Sequence, residues 1–339
     1  MSNPIVSVVM SVYIPESSQR YDDTIRYLHQ AVESILQQTY TDFEYIIVND
    51  GSSHHVASIL NDYALRDKRI SIIHQENCGL IASLNKGIHQ ARGIYIARMD
   101  ADDISLPHRF EHQVTYLQTY PRVALYGSAI EFIDGNNAVL SHFFYPTTHA
   151  ELRTKIMQSN YFAHSSIMMR ASVFHEVGGY SSLYLHAEDY ELWLRIAQHH
   201  NIANSEDVLL QYRVHENNVS WRNAEQQALS VIAAQLTHTY HRIITPEKDI
   251  LLKNGVEKIH IEMSVMNIFI YWLRMVRRMG SHTEAESVIN EVKRWSSNRT
   301  LERRIRAKLY REISLSYFSC ASYIYGMAFF AKALFIRYK

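Results

Sequence analysis

The stretch Ala97-Arg-Met-Asp-Ala-Asp-Asp103 follows an apolar run, Gly93-Ile-Tyr-Ile-Ala97, that predicts a buried strand bounded by a glycine turn. Three carboxylates at the end of a buried strand repel one another unless a positive charge lies beside them. Mg²⁺ or Mn²⁺ can supply that charge, since such ions are commonly held by one or two carboxylates together with substrate phosphates. The alternative is a helix N-terminus, in which Asp102 or Asp103 caps the segment Ile104-Ser-Leu-Pro107. The neighbouring segments decide between the two interpretations.

Strand-like and helix-like segments alternate on the N-terminal side of this stretch. The predicted strands are Ile5–Val12, Phe43–Val48, Ile70–His74 and Gly93–Ala97, and the predicted helices are Thr24–Gln38, Val56–Leu65 and Leu80–Gln90. Such alternation predicts βαβ units and an α/β fold with a mostly parallel sheet. Ligands of these sheets bind at the carboxyl ends of strands. Asp50 and Asp100 both follow strand ends, so we expect them to converge on one crevice.

Composition and motifs exclude several classes of protein. Among 339 residues, 34 Lys and Arg balance 34 Asp and Glu, so no net field draws the chain to nucleic acid. The first strand runs into Ser11-Val-Tyr-Ile-Pro15 without a Gly-X-Gly-X-X-Gly, and no Walker-type loop occurs, which argues against Rossmann dinucleotide and P-loop sites. Cys78 and Cys320 are far apart, which is typical of a reducing compartment. The N-terminus lacks signal-peptide features, so we expect a cytoplasmic protein.

The segments after the acidic stretch continue the mixed pattern. The predicted helices are Arg109–Tyr120, Val173–Val177 and Ala187–Ala197, and the predicted strands are Val123–Ile133, Ala138–Phe144 and Tyr161–Arg170. Asp189 lies at the start of the last of these helices, where a plain N-terminal cap is the simplest interpretation.

The character of the chain changes near residue 220, where we place a domain boundary. Residues 221–339 contain little Gly or Pro, and helical patterns predominate. Two stretches, Met263–Val276 and Tyr317–Ile336, are unusually apolar, and basic residues follow each of them. Three interpretations stay open: a helical bundle that buries these faces against the first domain or a second subunit, a segment lying in a membrane interface, and a membrane span.

Taken together, several short motifs resemble the family 2 glycosyltransferases over roughly residues 4–220. In the order and spacing of that family, these are Val6–Tyr13, Ser34–Glu44, Ile47–Ser53, Asn77–Gly79 with Leu84-Asn85, Gly93–Asp103, Pro107–Arg109, His164–Arg170, Val177–Tyr180, Glu188-Asp189 and Tyr212–His215. The resemblance implies a GT-A fold, with a nucleotide-binding half and an acceptor half. It also implies an inverting enzyme that uses nucleotide-activated sugars, of the bacterial kind that builds surface polysaccharides.

The resemblance assigns the donor-binding residues by position. Asp50 is similar to the residue that contacts the nucleotide base, beside the strand end that carries Ser11 and Tyr13. Asp100 is similar to the residue near the ribose and the metal. Asp102 is similar to the ligand of Mn²⁺ or Mg²⁺ that bridges to the diphosphate. The asparagine usual after Tyr13 is replaced here by isoleucine.

The same comparison assigns the acceptor side. Asp189 is similar to the catalytic base, and His215 occupies a position where similar enzymes place a histidine near the metal or diphosphate. The Gln-X-X-Arg-Trp motif of processive synthases is absent, which favours the transfer of one sugar per encounter. We expect a UDP-sugar donor and a lipid-linked glycan acceptor of an O-antigen, capsule or exopolysaccharide pathway, at the cytoplasmic membrane face.

Two other classes of protein share part of this pattern. A sugar nucleotidyltransferase would share a nucleotide-binding α/β fold, but it requires a glycine-rich phosphate loop after the first strand. A catalytically silent member of the same fold would bind a nucleotide sugar or bridge partners. The presence of both Asp102 and Asp189 favours an enzyme.

Overall fold

The computed structural model describes residues 3–18, 20–215, 223–279, 282–297, 308, 309 and 311–313. Within these residues, the chain divides into two compact units. The first unit comprises Met1–Ser182 and Glu188–Arg213, and the second comprises Leu183–Ala187 and Val214–Lys339.

The first unit begins with a parallel α/β layer. Its strands are β1 (Val6–Val12), β2 (Phe43–Asp50), β3 (Ile70–Gln75) and β4 (Tyr95–Met99), and its helices are α1 (Tyr21–Leu36), α2 (His54–Arg66) and α3 (Leu80–Gln90). The strands are all parallel in the order β3-β2-β1-β4. All eight residues of β2 are buried, as expected for a strand covered on both faces by helices. The predicted α/β architecture is confirmed in this layer.

The rest of the first unit extends the sheet with antiparallel and parallel pairs. Its strands are β5 (Ile104–Ser105), β6 (Val123–Ile133), β7 (Val139–Phe143), β8 (Met168–Arg170) and β9 (Asn201–Arg213), and its helices are α4 (Arg109–Thr119), α5 (His149–Lys155), α6 (Ala171–Val177) and α7 (Glu188–His199). The strand order continues from β4 as β8-β6-β9-β5, with β7 on β6. Only β6 and β9 are parallel to each other in this part. Their arrangement brings the end of β9 beside the residues that follow β4.

One expectation for this region needs correction, and two elements were missed. The predicted strand Tyr161–Arg170 is a strand only over β8, because His164–Ser166 forms a short 3-10 helix. In that helix the buried Ser166 hydroxyl donates to the Ala163 carbonyl, a local contact that competes with strand pairing. The strand β9 and the helix α5 were not predicted.

The second unit is helical, as expected for residues beyond 220. Its helices are α8 (Ala224–Tyr240), α9 (Lys248–Lys253), α10 (Lys258–Met279) and α11 (His282–Ser297). In the apolar stretch Met263–Val276, Phe269 and Trp272 are buried, and Phe269 packs 5.7 Å from the ring of Trp295 in α11. No helix within the described ranges combines the length and apolarity needed to cross a bilayer. The apolar segment Tyr317–Ile336 lies outside the described residues.

Candidate active site

The carboxyl ends of β1, β2 and β4 lie side by side, because these three strands are parallel and β1 lies between the other two. This arrangement brings the ends of the strands that carry Ser11, Asp50 and Asp100 to one edge of the sheet. Ser11 is half-buried near the end of β1, and Tyr13 just after it is 53% exposed. Asp50 and Asp100 therefore lie at the same edge of the sheet, as the sequence predicted.

Asp50 is buried at the end of β2, and its carboxylate is surrounded by donors from the protein. Its Oδ1 accepts hydrogen bonds from Gln75 Nε2 at 2.7 Å and from the Cys78 N–H at 2.8 Å. Its Oδ2 accepts from the Gly79 N–H at 2.9 Å, just before α3 begins. A carboxylate has about four lone-pair positions, so three are engaged and one is left for a ligand. Asp50 therefore fixes the loop that borders this edge.

Three carboxylates form an acidic cluster after β4, made of Asp100, Asp102 and Asp103. One oxygen from each lies within 4.8 Å of the others. Asp100 forms an ion pair with the buried Arg98 guanidinium and accepts a hydrogen bond from the Ser165 hydroxyl. The protein thus holds Asp100 from two sides, and both Asp100 and Asp102 are half-buried.

Asp103 is the member of the acidic cluster that sequence reasoning did not assign to the site. Its Oδ1 accepts from the Arg213 N–H at 2.9 Å, whereas its buried Oδ2 has no hydrogen-bond partner among the described residues. Burial, together with the negative charges of Asp102 and Asp100, raises the pKa of the Asp103 carboxyl well above its usual range. The sequence feature that could have assigned Asp103 to the site is its position directly after Asp102 in the Asp-Ala-Asp-Asp run.

Arg213, at the end of β9, holds the loop of the acidic cluster in place. Besides its N–H bond to Asp103, its Nε donates to the Asp102 carbonyl at 2.8 Å, and its Nη2 donates to Gln30 Oε1 at 2.8 Å. The guanidinium lies 4.3 Å from the ring centre of Tyr27. The sequence offered only the Tyr-Arg-Val-His run as a hint of this role.

Asp189 lies in the first turn of α7, as the sequence predicted. Its Oδ1 accepts from the Tyr190 N–H at 2.6 Å, and its Oδ2 accepts from Asn160 Nδ2 at 2.8 Å. Burial raises the pKa of the Asp189 carboxyl, although both hydrogen bonds and the charge of Arg98 favour the ionised form. The helix dipole alone would lower this pKa, so burial is the stronger effect. A carboxylate with a raised pKa is a better proton acceptor.

Tyr180 is a buried residue whose hydroxyl is acted on by charges of both the acidic cluster and α7. Burial raises the pKa of its hydroxyl, and the charges that act on the hydroxyl include those of Arg98, Asp189 and Asp100. The hydroxyl lies 2.7 Å from Nε2 of the half-buried His164, whose ring packs on Trp193. His164 is thus a packed neighbour of Tyr180.

His215 belongs to the second unit, two residues beyond the end of β9, and it is half-buried. Its predicted role as a metal ligand stays a prediction.

Comparison with known proteins gives a family match over residues 19–178, to the model described as "Glycosyl transferase family 2". The O-antigen biosynthesis glycosyltransferase WbnJ of Escherichia coli is 35% identical over 215 residues, which span 62% of this chain and 80% of that protein.

Two solved structures resemble the whole chain. TarS 1-349 of S. aureus in complex with UDP has a TM-score of 0.53 at 13% identity, over 97% of this chain and 89% of that one. The mannosyltransferase PcManGT of Pyrobaculum calidifontis, in complex with GDP-Man and Mn²⁺, has a TM-score of 0.55 at 14% identity, over 98% of this chain and 88% of that one. At these identities the likeness concerns the fold, and it confirms the predicted GT-A fold.

Proposed function

The chain belongs to glycosyl transferase family 2, and we propose that it is an inverting, metal-dependent enzyme that moves one sugar from a UDP-sugar to a hydroxyl group of a glycan acceptor. The observation that carries the proposal is the acidic cluster after β4, in which one oxygen each of Asp100, Asp102 and Asp103 lies within 4.8 Å of the others. A diphosphate is proposed to bind beside this cluster and an acceptor beside Asp189, so that the two meet in one crevice, as a single displacement requires.

The acidic cluster fits a hard divalent cation. Its donor atoms are carboxylate oxygens, which suit Mg²⁺ and Mn²⁺, and Asp103 Oδ2 is a buried acceptor without a hydrogen-bond partner among the described residues. We propose Asp102 as the direct ligand, with Asp103 as a further carboxylate of the same cluster. When bound, the cation would act as a Lewis acid that neutralises the charge on the diphosphate leaving group.

Asp189 is proposed as the general base. The acceptor oxygen forms a bond to the anomeric carbon while the bond from that carbon to the diphosphate oxygen breaks on the opposite face. The hydroxyl proton passes to the Asp189 carboxylate. Such proton transfer typically contributes 10²–10⁴-fold in rate. Its raised pKa brings Asp189 nearer to the operating pH, where a base is most effective.

The donor and the acceptor are proposed in finer detail from the relatives. The TarS structure contains UDP, which supports a uridine nucleotide, and Ser11, Tyr13 and Asp50 are proposed to hold it. WbnJ is named for O-antigen biosynthesis, which supports a lipid-linked glycan acceptor of a surface polysaccharide. Such an acceptor would place the enzyme at the cytoplasmic membrane face, with residues 221–339 contacting the membrane or a second subunit.

The deciding experiment is a hydrolysis and binding assay over a panel of nucleotide sugars, with Mn²⁺, with Mg²⁺ and with chelator. We expect slow hydrolysis of one UDP-sugar by the wild type, lost with chelator and in Asp102→Ala. Asp189→Ala is expected to retain donor binding while its turnover falls by about 10²-fold or more. Asp62→Ala, the same change at an exposed position of α2, is the matched control.

Failure of folded wild type to bind any nucleotide sugar would refute the enzyme and favour a silent scaffold. Binding and turnover that persist in chelator and in Asp102→Ala would refute the metal role alone. Full turnover in Asp189→Ala would refute the base.

A further inference from the structure

Asn160 makes two hydrogen bonds that fix the orientation of its side-chain amide. Its Oδ1 accepts from the Phe162 N–H at 3.1 Å, and its Nδ2 donates to Asp189 Oδ2 at 2.8 Å. A flipped amide would set NH₂ against the Phe162 N–H and oxygen against carboxylate oxygen, losing both bonds. Only one orientation therefore satisfies the site, and in it Asn160 is a donor to Asp189.

The segment that carries Asn160 is attached to the core of α7. Phe162 is buried, and its ring lies 6.1 Å from that of the buried Trp193, one turn beyond Asp189 on the same helix. The Tyr161 carbonyl accepts from Asn204 Nδ2 of β9 at 3.0 Å. Asn160 is thus held by two neighbouring residues, so its donor group has a fixed position relative to Asp189.

Each oxygen of the Asp189 carboxylate has a different donor. Oδ1 is bonded to the N–H of the next residue in the helix, whereas Oδ2 is bonded to Asn160, which is 29 residues away. We infer that Asn160 is a positioning residue for Asp189: it holds the carboxyl in one rotamer and favours its ionised form. This inference rests on the proposed function of Asp189 as the base.

Other charged and titratable groups also face Asp189. Arg98 of β4 favours the ionised carboxylate, burial disfavours it, and the Tyr180 hydroxyl and the neighbouring Glu188 lie close by. Replacing Asn160 with alanine removes one hydrogen-bond donor to Asp189 Oδ2 and changes no charge. A hydrogen bond to a charged group contributes about 1.5–3 kcal/mol, and one pKa unit is 1.36 kcal/mol, so we expect a shift of roughly one to two pH units.

The test compares Asn160→Ala and Asn160→Asp with the wild type, using the UDP-sugar that the wild type hydrolyses. The acid limb of kcat/KM against pH should move upward by about one to two units in Asn160→Ala. It should move further in Asn160→Asp, because two carboxylates in contact cannot both ionise easily. We expect kcat to fall about 10- to 100-fold while the binding of UDP with Mn²⁺ changes less than about twofold.

Asn160→Asp separates positioning from simple support of the fold, because aspartate retains the oxygen that accepts from Phe162 N–H. A purely structural Asn160 predicts a wild-type pH profile for Asn160→Asp, and that result overturns the inference even if Asn160→Ala unfolds. Gln118→Ala, which removes an exposed amide on α4, is the control and should leave the profile unchanged. A wild type that hydrolyses no nucleotide sugar refutes the proposed function as well, whereas active enzyme with unshifted limbs refutes only the role of Asn160.

Discussion

Ionising Asp103 costs stability, since its carboxyl is buried and its Oδ2 has no partner among the described residues. Its pKa is raised in the folded state, so the stability that this group contributes is present below its unfolded pKa and is lost as pH rises through its folded pKa. We therefore predict that Asp103→Asn raises Tm at pH 7 without metal, by roughly 2–4 °C for each kcal/mol gained. The gain should vanish below about pH 4.

With Mn²⁺ present, we expect the order of the two Tm values to reverse, so that the wild type melts at the higher temperature. Mn²⁺ should raise the Tm of the wild type and have a much smaller effect on Asp103→Asn, because the amide supplies one less negative charge to the cation. Differential scanning calorimetry with and without Mn²⁺ measures both effects. A variant that is less stable than the wild type at pH 7 without metal would show that the ionised carboxylate stabilises the fold.

The sequence identified single residues of the site where a motif names them, and it missed those that depend on distant contacts. Asp100 and Asp102 were singled out by their position after a strand, and Asp189 by its resemblance to the family's Glu-Asp pair, and their roles stay predictions. The bond from the Arg213 N–H to Asp103 spans 110 residues, and the bond from Asn160 to Asp189 spans 29. A local sequence pattern does not predict contacts between such distant residues, so the supporting roles of Arg213 and Asn160 are visible only in the folded structure.

At the scale of elements, Gly93 determines how closely β4 approaches β1. A Cβ at this position would lie 2.6 Å from Ser7 N and 2.8 Å from the Val6 carbonyl carbon, both of them backbone atoms. We predict that Gly93→Ala destabilises the protein by about 1–3 kcal/mol, because the backbone must shift to relieve the overlap. The midpoint of urea denaturation measures the loss.

Gly178→Ala is the matched control for Gly93→Ala, because a Cβ there meets nothing within 4 Å, although φ is +92°. Its cost is the left-handed backbone conformation alone, about 1–2 kcal/mol. A Gly93→Ala protein with wild-type stability would mean that β1 and β4 separate easily.

The elements that were predicted correctly are those with unbroken periodicity. The strands β1 to β4 are apolar runs between helices with one buried face, and these patterns survive in the fold. By contrast, β9 contains Asn204-Ser-Glu-Asp207, and its register with β6 shifts between Ser128 and Ala129. An irregularity of this kind interrupts the alternation of side chains, so the strand has no clear signature in the sequence.

At the scale of the whole molecule, the two units differ in how their sequences can be interpreted. The first contains every residue of the acidic cluster and Asp189, and the family match at residues 19–178 lies within it. The second showed only helical periodicity and apolar faces. Periodicity predicts that helices form, but it does not identify the surface that an apolar face covers. Part of the answer is internal packing, since Phe269 and Trp272 are buried.

We predict that the last apolar segment, Tyr317–Ile336, contacts a membrane rather than a second subunit. Three basic residues, Lys332, Arg337 and Lys339, lie within or after it, and each contributes about 1 kcal/mol beside an anionic surface. A protein that ends at residue 316 should therefore bind vesicles containing phosphatidylserine about 100-fold more weakly than the full chain, in a sedimentation assay. Replacing the three basic residues with glutamine should cause most of this loss, and phosphatidylcholine vesicles should bind neither protein well. Equal binding by both chains would exclude the membrane role. A larger particle for the full chain in light scattering would then assign the segment to a second subunit.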